Sequence, residues 1–359
     1  MKKVFVLFLA TAMLIAMASG GFAAAGSTAG KVIGYYMDAA DDYYKAGFEV
    51  FSIIAEREGW KVIDVVGQGT APEQIAAIEN FITSNVDAIV TVQNSPHASS
   101  ECLSKAYEAG KPMFFLTHNP PDEPGLAGFA GYDWVEEGLV AAESAIKSGA
   151  KRIVMIEGKL GQGTAGGQTE GFVKGYMNAG LDVGDAMTIG GKGGKDLQIV
   201  FWASGGWFAD PAKKAMQDAI TALGPDGFDG AYVHNDEMLD GALQAFEEAG
   251  LDPSKYWLGS SNGKEKSWVW VKEGKVTMDI NQTPSLEADL ASQQIKAYFE
   301  GKPYKRCIFS GTIPFYKDSI DESKLVPYDA KAYFEKRDKG AFVYDLNDPM
   351  FKEQPGYKK

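Results

Sequence analysis

The spacing most suggestive of chemistry in this chain is a glycine loop. Gly161-Gln-Gly163-Thr-Ala-Gly166 spells GxGxxG, the arrangement that lets backbone turn tightly against a pyrophosphate when it opens the first helix of a dinucleotide-binding unit. Its position argues against that role. The loop lies far along the chain, behind several strand-and-helix units. The acids at a suitable distance, Asp182 and Asp185, stand in a chain so acidic that their spacing carries no weight. Other reactive patterns are missing as well. Neither GxxxxGK(S/T) nor GxSxG occurs, and the three histidines, His97, His118 and His234, lack metal-ligand spacing. The two cysteines, Cys102 and Cys307, are far apart and form no framework pattern, so two buried thiols are expected rather than a bridge. The residues thus predict no cofactor, no metal and no enzyme.

The N-terminus sets the compartment. Met1-Lys2-Lys3 is followed by an almost unbroken apolar run, Val4 to Met17, and then by small residues ending in Gly-Phe-Ala-Ala-Ala-Gly at 21–26. This is the layout of a signal peptide over 1–25, with cleavage after Ala24 or Ala25. The run is short of the roughly 20 residues a membrane span needs. The expectation is an exported protein in a Gram-negative periplasm. Its formal charge of −13 becomes more negative once Lys2 and Lys3 are removed. That balance excludes nucleic acid as a partner, since such binding needs a basic face. The roughly 330 residues that remain exceed one compact core, which predicts two lobes.

The elements that must position any site alternate along the chain. Strands are read at Lys31–Met37, Lys61–Val66, Asp87–Val92 and Pro112–Leu116, with helices at Tyr44–Glu58, Thr70–Ile82 and Ser99–Ala109 between them. Thr70-Ala-Pro-Glu73 offers a capping box with proline in the first turn. The rhythm restarts after Gly131: helices at 135–148, 168–179, 211–223, 238–249 and 286–300 alternate with strands at 152–156, 230–233, 256–259 and 276–280. Residues 181–210, rich in Gly and Trp, read as irregular, and 313–359 as a wrapping tail with little regular structure. Such alternation gives βαβ units and parallel sheets whose functional ends share one edge. The fold class is α/β, with two doubly wound lobes.

Several stretches together resemble the ribose/galactose-type periplasmic sugar-binding proteins of ABC importers, type I periplasmic binding proteins related to the ligand-binding half of LacI-type repressors. They are Asp41-Asp-Tyr43-Tyr44, Gln74-Ile-Ala-Ala-Ile-Glu-Asn-Phe-Ile with Val86-Asp-Ala-Ile-Val, Gly167-Gln-Thr-Glu-Gly-Phe, His234-Asn-Asp-Glu-Met-Leu-Asp-Gly-Ala-Leu and Asn281-Gln282-Thr-Pro, in family order over residues 31 to about 312. The resemblance implies two lobes joined by three hinge crossings, near Ala130–Gly131, Asn281–Gln282 and Gly311–Pro314. The N-terminal lobe would be 31–130 plus 282–312, the C-terminal lobe 131–281 plus 313–330, and the tail 331–359. It further implies capture of a small sugar or polyol in the cleft by a monomer, and delivery to ABC permease subunits or service to a chemoreceptor. The export signal and the lack of a basic helix-turn-helix start exclude a repressor.

A sugar needs aromatic plates for its C–H faces and paired polar groups for its hydroxyls. On the resemblance, Tyr43 and Tyr44 stand where a stacking pair belongs and Trp207 (or Phe208) at the aromatic position of the second lobe. Asp41, Gln168, Asn235, Gln282 and Asn262 (or Ser261) take hydrogen-bonding positions, and Thr117 and His118 replace a familiar Asp-Arg pair. Charged grips have thus given way to neutral ones. That keeps a sugar or polyol in view, puts ribose in doubt and leaves a nucleoside as the alternative ligand.

Overall fold

The computed structural model describes residues 28–342, 344–347 and 351; the expected signal peptide at 1–25 lies outside them. In chain order the first half runs β1 (Val32–Met37), α1 (Asp42–Glu58), β2 (Lys61–Val66), α2 (Ala71–Thr83), β3 (Ala88–Val92), α3 (Pro96–Glu108), β4 (Met113–Thr117) and β5 (Leu126–Tyr132). Next come α4 (Trp134–Ser148), β6 (Arg152–Glu157), α5 (Gly163–Asn178), β7 (Gln198–Ser204), α6 (Ala209–Leu223), β8 (Gly230–Val233), α7 (Asp236–Glu248), β9 (Trp257–Ser261), α8 (Glu265–Glu273) and β10 (Met278–Asn281). The chain closes with α9 (Pro284–Phe299), β11 (Cys307–Ser310), β12 (Ile313–Tyr316) and α10 (Ala330–Arg337).

These strands form two six-stranded sheets with orders β11-β5-β4-β3-β1-β2 and β12-β10-β9-β8-β6-β7. The first is wholly parallel; in the second only β12 runs antiparallel, against β10. The two orders match strand for strand, so each lobe reverses its winding between its first and third strands. Loops leaving those strands splay apart there and open a crevice for a ligand. Helices cover both faces of the inner strands, which is why β3 and β4 are apolar runs buried at every residue.

The chain passes between lobes after Tyr132, after Asn281 and between Ser310 and Ile313. It then returns once more. Leu325 packs in the core of the second lobe, whereas Val326, Tyr333 and Phe334 pack in that of the first. The Asn281 side chain clamps this return, donating to the Val326 carbonyl at 3.0 Å and accepting from its N–H at 2.8 Å.

Two expectations need correcting. The stretch 181–210 holds strand β7, an edge strand hidden among glycines. The tail holds helix α10, whose N-cap Asp329 accepts from the Ala332 N–H at 2.8 Å. Tyr333 and Arg337 of that helix both bond the buried Asp289 of α9. Cys102 and Cys307 are both buried. Among the described residues, no helix is long and apolar enough to cross a membrane, and no cluster of His, Cys, Asp and Glu could hold a metal ion.

Candidate functional site

A cavity lies between the lobes at the carboxyl ends of the strands. Asp41, Tyr43 and Tyr44 enter it from the turn between β1 and α1. Asp41 is the N-cap of α1, and its Oδ1 accepts from the Tyr44 N–H at 2.8 Å. Thr117 and His118 come from the end of β4. From the second lobe, Gln168 projects from α5, Trp207 from the β7–α6 turn, Asn235 from the start of α7 and Asn262 from the end of β9. Nine of the ten residues nominated from sequence therefore line one space. The tenth, Gln282, is buried at the second crossing near Glu137 and does not line the cavity.

Local backbone fixes these side chains. Helix α5 lies against α4 with almost no separation. A Cβ added at Gly138 would come 2.2 Å from the Gln168 carbonyl oxygen, and one at Gly171 would come 2.1 Å from that of Val135. Only glycines allow that approach, and it sets how far Gln168 reaches. The Trp207 ring lies over Gly158, where a Cβ would meet it at 2.2 Å, and its indole N–H donates to Gln162 Oε1 at 2.6 Å. Asn235 caps α7, accepting from the Met238 N–H at 2.9 Å, and donates to the Trp207 carbonyl at 3.3 Å. Thr117, Trp207 and Asn262 all have left-handed backbone, with φ of 65°, 79° and 105°. Such conformations cost about 1–3 kcal/mol each outside glycine and cluster where a site demands them.

Six further residues line the cavity: Trp134, Thr164, His234, Glu237, Lys264 and Tyr328. Several of them join the lobes. His118 bonds the Tyr44 hydroxyl through Nε2 at 2.8 Å and the Thr164 hydroxyl through Nδ1. Lys264 Nζ reaches Asp42 across the cleft at 2.8 Å, and the Trp134 indole N–H donates to the Thr117 carbonyl at 2.9 Å. Outside the cavity lining, Lys159 Nζ donates to the Gly69 carbonyl at 2.7 Å. The lobes are therefore closed, in part by contacts that are cheap to break. An ion pair as exposed as Lys264–Asp42 contributes only about 0–1 kcal/mol, which suits a hinge.

The electrostatics of the pocket are set by burial. Burial holds His118 down at about 3, with Lys159 adding to the effect, and burial alone holds His234 at about 3. Both rings are neutral and can each donate and accept once. Burial raises Asp41 to about 7, against the Tyr44 N–H, which favours its charge. Glu287, which accepts from the Thr117 hydroxyl at 2.8 Å, is pushed by burial up to about 8. The arrangement offers aromatic faces, neutral amides and hydroxyls. The glycine loop that spelled a dinucleotide motif supplies Thr164 to this cavity.

The model of the periplasmic binding protein domain matches residues 32–303. The chain belongs to the periplasmic binding protein family. Among its relatives are the galactofuranose-binding protein of Escherichia coli strain K12, 25% identical over 290 residues, covering 79% of this chain and 83% of that protein, and the ribose import binding protein of Bacillus subtilis strain 168, 26% identical over 254 residues, covering 71% and 76%. A crystal structure of a galactofuranose binding protein superposes with a TM-score of 0.71 at 22% identity, covering 86% of this chain and 99% of that one. The periplasmic component of the arabinose ABC transporter from Shewanella sp. ANA-3, bound to arabinofuranose, gives 0.71 at 23% identity over 87% and 97%. The resemblance drawn from sequence and the two-lobed fold are both borne out. In this periplasmic binding protein the residues missed from sequence are mostly neighbours of nominated ones. Glu237 lies two residues beyond Asn235, Lys264 two beyond Asn262, and Thr164 within the glycine loop. Tyr328 reaches the cavity only through the fold of the tail and left no local signal.

Proposed function

We propose that the protein is an exported solute receptor. It captures a small sugar or polyol between its lobes in the periplasm and hands it, unchanged, to an ABC permease. The observation that carries this reading is the composition of one closed interlobe cavity. Aromatic rings from both lobes (Tyr43, Tyr44, Trp207) face it together with neutral hydrogen-bonding groups (Gln168, Asn235, Asn262, Thr117, His118). Rings cover the apolar faces of a sugar. Amides and hydroxyls pair with its hydroxyls, each of which costs about 1–3 kcal/mol if buried unpaired. Because ligand contacts come from both lobes at once, ligand favours the closed state by the difference in those contacts. The names of its relatives, for galactofuranose and ribose, support the same class.

Calorimetric titration of the ligand-stripped protein with pentoses, hexoses, linear polyols and inositols tests the proposal. One member or a small group should bind. At ~100 times its Kd it should stabilise the protein by about 2.7 kcal/mol. Binding of nucleosides with no response to any carbohydrate would overturn it.

A further inference from the structure

The cavity is unbalanced in charge. Among its lining side chains are two carboxyls, Asp41 and Glu237, and one ammonium, Lys264; no guanidinium is present. Lys264 is already committed. Its Nζ sits 2.8 Å from Asp42 Oδ2 and 5.1 Å from the centre of the Tyr328 ring. Asp41 is only 7% exposed. Its hydrogen bond comes from the Tyr44 backbone N–H, and no Lys or Arg among the described residues forms an ion pair with it. The neutral histidines supply no cation either. Gln168 adds a second open acceptor, since its Oε1 is buried without a partner. Around Asp41 stand aromatic rings: Tyr43 packs edge-on against Tyr44 at 6.3 Å and against Tyr328 at 6.0 Å.

We propose that the ligand of this cleft carries an ammonium group among its hydroxyls, as an amino sugar, an aminated cyclitol or another polyhydroxylated amine would. The inference rests on the reading of the cavity as a sugar or polyol site and narrows it. A carboxylate taken out of water without a counter-ion costs several kcal/mol, which hydrogen-bond donors offset in part and a proton or a cation offsets most fully. In the free protein a proton serves below about pH 7, since burial raises Asp41, and above that pH the carboxylate stands without a counter-ion. In the complex an ammonium supplies the cation. Its N–H donors meet Asp41 and the open Gln168 oxygen, and the flanking tyrosine rings favour a cation over their faces. An anionic ligand, such as a uronate or a sugar phosphate, would face two carboxyls with the only lysine engaged, and is disfavoured.

The test is a set of matched pairs differing by one ammonium for one hydroxyl: glucosamine against glucose, galactosamine against galactose, and an inosamine against myo-inositol. Each is titrated into the stripped full-length mature protein at pH 7.5. In the pair that fits the cavity, the amine should bind more tightly by on the order of tenfold to a hundredfold, the size of one hydrogen bond to a charged group. Asp41→Asn retains a good helix cap and should bring that ratio close to one. A neutral member that binds as tightly as its amine, or a preference that survives Asp41→Asn, overturns the inference and leaves the polyol reading intact. Failure of all six compounds to bind, with binding of a nucleoside, overturns both.

Discussion

Glu287→Gln is the substitution whose outcome can be worked out most fully. Glu287 lies on α9, buried, and fixes Thr117, whose left-handed backbone (φ 65°) precedes His118 in the cavity. Burial pushes its carboxyl from the ordinary 4.5 up to about 8, and burial does the same to Glu137 on α4. Between pH 6.5 and 8 the unfolded chain has lost both protons while the folded protein still holds most of them. The folded state binds more protons, so its stability falls as pH rises through this window. Each group contributes a slope near 1.36 kcal/mol per pH unit while fully protonated and half that at its own pKa, or roughly 1.5–2 kcal/mol across the interval. Together they lower stability by roughly 3 kcal/mol, with Asp41 and Asp236, each raised by burial to about 7, and the buried Asp279, also raised, adding in the same direction. The depressed histidines, His118 and His234, act mainly below pH 7; at the lower edge of the window they oppose the fall, by under ~1 kcal/mol together. At roughly 2–4 °C per kcal/mol for lobes of this size, calorimetry of the stripped protein at constant ionic strength should show Tm falling by roughly 6–12 °C. Glu287→Gln keeps the shape and an acceptor for Thr117, and should remove roughly 1.5–2 kcal/mol of that fall. A Tm that is flat or rises from pH 6.5 to 8, or an unchanged slope in the variant, would refute the reasoning.

Three further outcomes are expected. Trp207→Ala removes the aromatic plate of the second lobe and should weaken ligand binding by at least about tenfold, the effect of losing about 1.4 kcal/mol; titration at wild-type affinity would take Trp207 out of the binding role. Gly171→Ala puts a Cβ 2.1 Å from the Val135 carbonyl oxygen, so denaturant unfolding should show a loss of about 1–3 kcal/mol, accompanied by weaker binding as α5 and Gln168 shift together. Arg337→Ala leaves the buried Asp289 without its cation. It should cost about 3 kcal/mol, whereas Arg337→Ala combined with Asp289→Asn should recover much of that loss in the same assay.

Much of this architecture was legible because parallel strands covered on both faces write themselves as short apolar runs. Asp87–Val92, Arg152–Ile156 and Gly230–Val233 stood out for that reason, and polar residues just past each run fell together at one edge. Asp41 and Asn235 were visible twice over, since a residue that caps a helix after a strand also sits where a crevice opens. The remainder needed long-range contacts. β7 is an edge strand whose flanking glycines made the whole stretch read as irregular. Helix α10 buries Ala330, Tyr333 and Phe334 at helical spacing, but its eight residues give too short a run for that spacing to stand out. Helix α5 starts at Gly163 rather than at 168 because its glycines, poor helix formers alone, are held by close packing on α4. Gln282 takes its place beside Glu137 only once three separate crossings have assembled.

The most direct measurement is the accurate mass of the small molecule released when the protein purified from its own compartment is denatured, before and after prolonged incubation with fresh protein. An exported solute receptor should yield one polyhydroxylated compound, a sugar, polyol or aminated form of either, in near-stoichiometric amount and chemically unchanged. A compound without an array of hydroxyls, or its conversion to a product on incubation, would contradict capture without chemistry in this cleft.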